Sequence, residues 1–190
     1  GADLLLNDTE SEEIGSTFSV LVKNQIGYEN LIKLISDAFT QGQKLGLPTV
    51  THSLVQKHAE GLIALSGGVH GELGLALVAN KSGLAEAKLD WWMKTFPDRF
   101  YIELNRTGRV GEQRHVEAAV DLAEKSKCPV VATNDVRFLD PTDFEAHEAR
   151  VCIGEGRILD DPRRVRRYSQ EQYFRSIEEM EKLFSELPEA

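Results

Sequence analysis

The feature that most constrains the fold is an alternation of short apolar runs with amphipathic helices along the last two-thirds of the chain. Apolar runs at residues 62–65, 100–102 and 129–132 are each followed by a polar or glycine-containing loop and then by a helical pattern. In the helix that follows the run at residues 100–102, the apolar side chains recur at i, i+3, i+4 and i+7, namely Val116, Ala119, Val120 and Ala123. This alternation predicts an α/β fold with a parallel sheet and right-handed crossovers.

Further helices are predicted from apolar stripes and from capping residues. One stripe precedes the alternation and consists of Leu31, Leu34, Ile35, Ala38 and Phe39. Another helix is predicted between Ser82 and Phe96. Capping boxes, in which Ser or Thr is followed three residues later by Glu or Gln, predict helix starts at Thr142, Ser169 and Ser176. No internal repeat or linker interrupts the pattern, so a single domain is predicted.

Composition narrows the class of protein. The chain has 190 residues, of which 41% are hydrophobic, enough for one core. A net charge of −9 argues against a chain that binds nucleic acid over its whole surface. Cys128 and Cys152 are too few and too far apart for a disulfide framework, which predicts a reduced, cytoplasmic protein. The apolar runs are far shorter than the roughly 20 residues that cross a bilayer, so no membrane association is predicted.

Ligands of parallel α/β folds bind in the loops at the carboxyl ends of the strands. Residues 66–72, 105–109 and 133–137 occupy those places. The first loop is glycine-rich, and its backbone N–H groups could hold an anion, although a tight strand-to-helix turn explains the glycines equally well. Two His-x-Glu matches lack the cysteine half of a zinc deaminase signature, and that activity is rejected.

Asp135 is the best candidate for a metal ligand by position, but a simpler interpretation is favoured. Its carboxylate could ligate a divalent cation, or it could bind loop amides or pair with Arg137. A fixed positive charge two residues away opposes a bound cation. The five histidines are dispersed and form no metal-binding spacing; His115 is predicted to be exposed and His147 to pack or to pair with a carboxylate.

One basic cluster stands out in this acidic chain. It consists of Arg157, Arg163, Arg164, Arg166 and Arg167. These arginines could contact phosphate groups or an acidic partner. A solvated loop offset by Asp160 and Asp161 is the favoured interpretation.

Several phrases, taken in order, resemble one known family. They are KNQIGYENL at residues 23–31, LSGG at 65–68, FYIEL at 100–104, VATNDV at 131–136, LDDP at 159–162 and YFRS at 173–176. The ordered set is similar to the PHP (polymerase and histidinol phosphatase) domain of bacterial DNA polymerase III alpha subunits. The resemblance implies a distorted (β/α)7-type barrel with helices outside, here incomplete at the N-terminus.

The resemblance also indicates the state of the metal site. Metal-binding members carry histidines, carboxylates and a cysteine at the strand ends. Asp135 matches the family aspartate, and Asp3 stands where glutamate is typical. Four further positions, which in metal-binding members are histidine, cysteine, histidine and histidine, are here Thr17, Gly68, Thr107 and Arg137. Because these side chains cannot replace imidazole or thiolate, the resemblance implies that the site has been lost, as in the proteobacterial type.

The function implied by the resemblance is structural. The segment is expected to brace a replicative polymerase and to dock its proofreading exonuclease subunit alongside other replicase subunits. DNA contact and the Mg²⁺ of the polymerase reaction would belong to other domains of the parent protein, and no cofactor is expected here. Two alternatives stay open: an active metal-dependent phosphoesterase or 3′–5′ exonuclease, and a free-standing α/β domain that binds a small molecule.

An incomplete barrel predicts an exposed sheet edge. Unpaired backbone groups at such an edge favour association with a second copy. We therefore expect the isolated 190-residue chain to be of low stability or to oligomerise, which light scattering will show. A rigid, highly stable monomer would contradict this prediction.

Overall fold

The fold was analysed on a computed structural model, which describes residues 1–7, 15–44 and 46–190. The strands are β1 (Ala2–Leu6), β2 (Ser16–Val22), β3 (Gln43–Lys44), β4 (Leu47–Pro48), β5 (Leu62–Leu65), β6 (Phe100–Asn105) and β7 (Val130–Thr133). The helices are α1 (Gln25–Thr40), α2 (His52–Lys57), α3 (Glu72–Val78), α4 (Ser82–Thr95), α5 (Glu112–Ser126), α6 (Phe144–Glu155) and α7 (Ile177–Leu183). No helix in these ranges has the length and apolar character needed to span a membrane.

Five strands form one sheet in the order β1-β2-β5-β6-β7. The predicted α/β class is confirmed, and β5, β6 and β7 are parallel as expected. β2 is the exception, since it pairs antiparallel with both β1 and β5. The connection from β1 to β2, residues 7–15, is shorter than the dozen or more residues that a parallel crossover requires. β1 is the first strand in this order and lies at one edge of the sheet. A parallel bridge joins its Leu6 to Val50.

An aromatic cluster lies at the centre of the core. The ring of Trp92, in α4, stacks on Phe100 of β6 with centroids 5.3 Å apart. Phe18 of β2 and Phe96 contact the same indole at 5.0 and 5.8 Å. These contacts join α4 to the sheet and bury one of the largest side chains of the chain.

A buried carboxylate ties three helices together. Glu72, at the start of α3, accepts a hydrogen bond from the Trp92 indole N–H at 2.6 Å and is paired with Lys88 of α4 and with His52 of α2. Burial raises the pKa of Glu72, but the bonds to His52 and Lys88 outweigh that effect and hold it below its ordinary value. The charge is therefore compensated inside the fold.

Several helix predictions are corrected by the structure. A 3₁₀ turn, Pro141–Asp143, leads into α6, and its capping box is formed by Asp140 and Asp143, with Pro141 at its first position, and not by Thr142 and Glu145. Pro141 supplies the φ angle of a first turn, so the capped turn begins two residues earlier than the predicted cap at Thr142, and α6 itself begins at Phe144. The box at Ser176 is confirmed as the start of α7. Phe39, assigned to the apolar stripe of α1, is exposed.

The segment predicted to be a helix from Ser169 is a turn instead. The Gln172 side-chain oxygen accepts a hydrogen bond from the Ser169 N–H at 3.0 Å, as a capping box would require. Its amide group, however, donates to Asp135 at 2.9 Å. This long-range bond holds residues 169–172 as a turn against the sheet end.

The start of α1 depends on a close approach of two glycines. Asn24 caps the helix by accepting from the Gly27 N–H at 3.0 Å. A Cβ on Gly27 would overlap the carbonyl oxygen of Gly61, which itself accepts from the Lys23 N–H. The first turn of α1 therefore packs directly on the backbone that precedes β5.

Replacing Gly27 with Ala should destabilise the protein, because the obstructing atom is backbone and cannot rotate away. We expect a loss of about 1–3 kcal/mol in the free energy of unfolding, measured in urea. Gly83→Ala is the matched control, since nothing lies within 4 Å of its added methyl. That variant should be neutral or more stable by up to about 1 kcal/mol; equal effects of the two substitutions would refute the packing argument.

Candidate functional site

The three loops singled out in the sequence meet at the carboxyl ends of β5, β6 and β7. The Gly67 N–H donates to Glu103 Oε2 of β6 at 3.1 Å. A Cβ on Gly68 would overlap the side-chain oxygen of Asn105. Both glycines have left-handed φ angles, 79° and 55°, so the tight turn by itself requires them.

Asp135 lies at the centre of this rim, and basic side chains surround it. Arg109 Nη1 is 2.7 Å from Oδ2, and Arg137 Nη2 is 2.6 Å from Oδ1. Gln172 Nε2 also donates to Oδ2, at 2.9 Å. The predicted pairing of Asp135 with Arg137 is thus confirmed, and Arg109 is a second cation that the sequence did not reveal. Asp135 has a φ angle of 32°, unusual for a non-glycine residue, and these bonds hold it there.

Glu112, on the first turn of α5, is a second carboxylate of the rim. It accepts from the Thr107 N–H and hydroxyl, both at 2.7 Å, and from Arg109 Nε at 2.8 Å. Burial raises the pKa of Glu112, but the bonds from Thr107 and Arg109 outweigh it and keep the pKa below its ordinary value. Arg109 therefore bridges two carboxylates from different loops.

A third acidic group lies on β6. Glu103 accepts hydrogen bonds from the Thr133 hydroxyl of β7 and from the Gly67 N–H. Burial raises the pKa of Glu103, these hydrogen bonds oppose the rise, and the nearby charge of Asp3 adds to it. Asp3, on β1, accepts from the Ser19 hydroxyl at 2.6 Å. Asp3 and Asp135, the two family positions that keep an acidic residue, therefore have different partners. Asp3 binds a hydroxyl, and Asp135 pairs with two guanidinium groups.

The positions assigned to lost ligands have other roles in the structure. Thr107 is fully buried and binds Glu112 through its hydroxyl. Gly68 packs on Asn105, and Arg137 pairs with Asp135. Thr17 is exposed, on β2.

These residues do not fit a hydrolytic metal centre. Both oxygens of Asp135 face guanidinium groups, and Glu112 is surrounded by N–H and O–H donors. Fixed positive charges repel a cation placed among them. In the residues that the structure describes, no group of three or more His, Cys, Asp or Glu side chains is arranged to hold a metal ion.

A segment near the C-terminus crosses the rim as a strap, residues 169–175. The amide of Asn134 donates to the carbonyls of Glu171 and Tyr173, at 3.1 and 2.6 Å. The Arg137 N–H donates to the Gln172 carbonyl at 2.8 Å, and Gln172 is completely buried. The strap is therefore joined to the loop after β7 by hydrogen bonds from both main-chain and side-chain groups.

His147 and His115 are both buried in the structure, and the sequence predicted the surroundings of only the first. His147 packs against the Phe138 and Tyr168 rings at 5.4 and 4.7 Å, as expected of a packed residue. His115 was predicted to be exposed and is only 1% exposed, so that prediction is wrong. It follows Glu112 by three residues and faces inward with it, and burial lowers its pKa to about 4.

The basic cluster divides into paired and unpaired members. Arg157 and Arg163 both pair with Asp161 at 3.1 Å, which agrees with the predicted offset by acidic neighbours. Arg164 is buried and pairs with Glu148 of α6. Arg166 and Arg167 are exposed.

Comparison with known proteins identifies the class to which this fold and site belong. Residues 1–107 match the family described as the PHP domain, so the chain belongs to the PHP domain family. The chain is 52% identical over its 190 residues to the DNA polymerase III subunit alpha of Pseudomonas aeruginosa and 44% identical to that of Vibrio cholerae. It is 48% identical over 172 residues, 90% of its length, to that of Escherichia coli K12. It spans only 15–16% of the length of these relatives.

Four residues of the site were not assigned to it from the sequence: Arg109, Glu112, Glu103 and Gln172. Arg109 and Glu112 are three residues apart across a helix start, which is a signal that could have been used. Gln172 reaches Asp135 across 37 residues of sequence, and nothing local indicates that contact.

Replacing Thr107 with Val keeps its shape but removes the hydroxyl bound to Glu112 and Arg109. We expect a loss of about 1.5–3 kcal/mol in unfolding free energy at pH 7. Because these bonds lower the pKa of Glu112, their stabilisation is present above its ordinary value of 4.5 and declines as the pH falls through the folded-state pKa. Urea titrations should therefore show the two proteins converging below pH 4.5.

Thr95→Val is the control for that experiment. Thr95 is buried, and its hydroxyl makes no hydrogen bond to any described residue. Its replacement should change stability by less than about 0.5 kcal/mol at either pH. A Thr107→Val defect of the same size at pH 7 and at low pH would show that the Glu112 carboxylate is not involved.

Proposed function

We propose that this chain is a non-catalytic PHP segment of a replicative DNA polymerase III alpha subunit. Identity of 44–52% over all 190 residues to alpha subunits of two species supports the assignment. Because the chain spans 16% of those proteins, nucleotide transfer and its Mg²⁺ are assigned to other parts of the alpha subunit.

The observation that carries the non-catalytic role is the pairing of Asp135 with two guanidinium groups. Hydrolysis by a metal-dependent phosphoesterase needs a cation with an open coordination position, which lowers the pKa of a bound water. A guanidinium group neutralises a carboxylate but has no such position and does not lose its proton at physiological pH. The rim is therefore suited to holding loops together and not to activating water.

In this proposal the segment braces the polymerase and docks the proofreading exonuclease subunit in the cytoplasm, beside other replicase subunits. A bracing domain must present a constant surface. The bonds that join the strap to Asn134, Asp135 and Arg137 fix three chain segments relative to one another and support that role.

Replacing Asp135 with Asn in the complete alpha subunit should leave primer extension within about tenfold of the wild-type rate, equivalent to about 1.4 kcal/mol. The carboxylate is a structural partner of Arg109 and Arg137, so the expected defect is in stability. We expect a loss of about 1.5–3 kcal/mol, measured by thermal unfolding.

Metal titration of the same two proteins tests the rival assignment. Calorimetry with Mn²⁺ or Zn²⁺ should give the same stoichiometry for wild type and Asp135→Asn, because the cations of the polymerase reaction bind elsewhere. One or more additional ions bound by the wild type alone would contradict the proposal. That result would favour a metal-dependent phosphoesterase or 3′–5′ exonuclease.

A further inference from the structure

The irregular segment 157–167 carries more positive charge than its own acidic residues can neutralise. Five arginines face two aspartates, in a chain whose net charge is −9. Asp161 accepts from Arg157 at 3.1 Å and from the N–H and side chain of Arg163 at 2.9 and 3.1 Å. The unneutralised charge must therefore lie further along the segment.

Two anchors fix the shape of the segment beyond Arg163. Arg164 is 4% exposed and forms an ion pair with the equally buried Glu148 of α6. Four residues later, Tyr168 packs edge-on against His147, with ring centroids 4.7 Å apart. The guanidinium of Arg137 also lies over the Tyr168 ring, 5.6 Å from its centroid. Residues 165–167 are thus held between two buried contacts.

The side chains of residues 165–167, which lie between these two anchors, make no polar contact with the rest of the described fold. Arg166 and Arg167 are exposed, and within the described chain neither forms a hydrogen bond or an ion pair. Val165, directly before them in the chain, is 70% exposed. Between its two anchors the segment therefore presents two unpaired guanidinium groups beside one exposed apolar side chain.

We propose that residues 165–167 dock an acidic protein surface in which carboxylates flank an apolar side chain. Guanidinium groups bind carboxylates through two parallel hydrogen bonds, and the apolar partner would cover Val165. This inference rests on the proposed function, under which the docked protein is the proofreading exonuclease subunit. Contacts that hold both ends of the segment, at Arg164 and Tyr168, reduce the conformational entropy that binding would cost.

A nucleic acid fits this surface less well than a protein does. Phosphates would satisfy Arg166 and Arg167 but would leave Val165 uncovered. The net charge of −9 also opposes the approach of a polyanion. An acidic protein needs only a local patch of carboxylates and supplies the apolar contact as well.

The test measures the affinity of purified exonuclease subunit for the complete alpha subunit by surface plasmon resonance. The double variant Arg166→Glu, Arg167→Glu should bind roughly tenfold more weakly, mainly through slower association, with a reduced dependence on salt. The control Lys33→Glu, Lys57→Glu makes the same charge change on exposed residues of α1 and α2 and should bind normally. Arg166→Gln, Arg167→Gln should give an intermediate affinity and guards against misfolding of the reversed variant.

The outcomes separate this inference from the proposal beneath it. If the wild-type subunit does not bind the exonuclease, the proposed docking function is wrong. If wild type and both arginine variants bind equally, the docking function stands and the surface assigned here is wrong. If the variants lose affinity for a DNA duplex but keep it for the exonuclease, residues 165–167 contact nucleic acid and the inference is overturned.

Discussion

The guanidinium of Arg109 is the interaction on which the rim of the sheet depends. Its Nε donates to Glu112 at 2.8 Å and its Nη1 to Asp135 at 2.7 Å, so that one cation joins carboxylates from two loops. Removing one partner of such an ion pair leaves a charge without compensation, which destabilises the fold. The loops after β6 and β7 are therefore held in one arrangement by an electrostatic requirement more than by apolar burial.

A fixed cation and a bound metal satisfy the same carboxylate in different ways. Each neutralises Asp135, but the guanidinium groups are covalently part of the chain, so their occupancy does not depend on metal concentration. A metal ion would bring an exchangeable water and with it hydrolytic chemistry. Under the proposed function, the guanidinium groups around Asp135 provide charge pairing without a metal ion, which gives a rim aspartate a structural role.

Local patterns predicted the architecture, and long-range contacts decided the site. The stripe from Val116 to Ala123 was enough to predict α5, because helix periodicity is a property of neighbouring residues. The same periodicity extended backward places His115 on the buried face of α5, where the structure has it. The contact between Gln172 and Asp135 depends on how two distant segments pack, and no local rule anticipates it. Tertiary hydrogen bonding overrode the capping preference at Ser169 for this reason.

Arg137 connects the rim to the basic loop. One face of this side chain pairs with Asp135, while its guanidinium lies over the Tyr168 ring that anchors residues 165–167. The resemblance assigns this position to a histidine ligand in metal-binding members of the family. A short imidazole bound to a metal would not reach both groups, whereas a long, planar guanidinium can pair with a carboxylate and stack on an aromatic ring at once. Arg137, which disfavours a cation at the rim, therefore also contacts the anchor of residues 165–167, so one residue links the two proposed features.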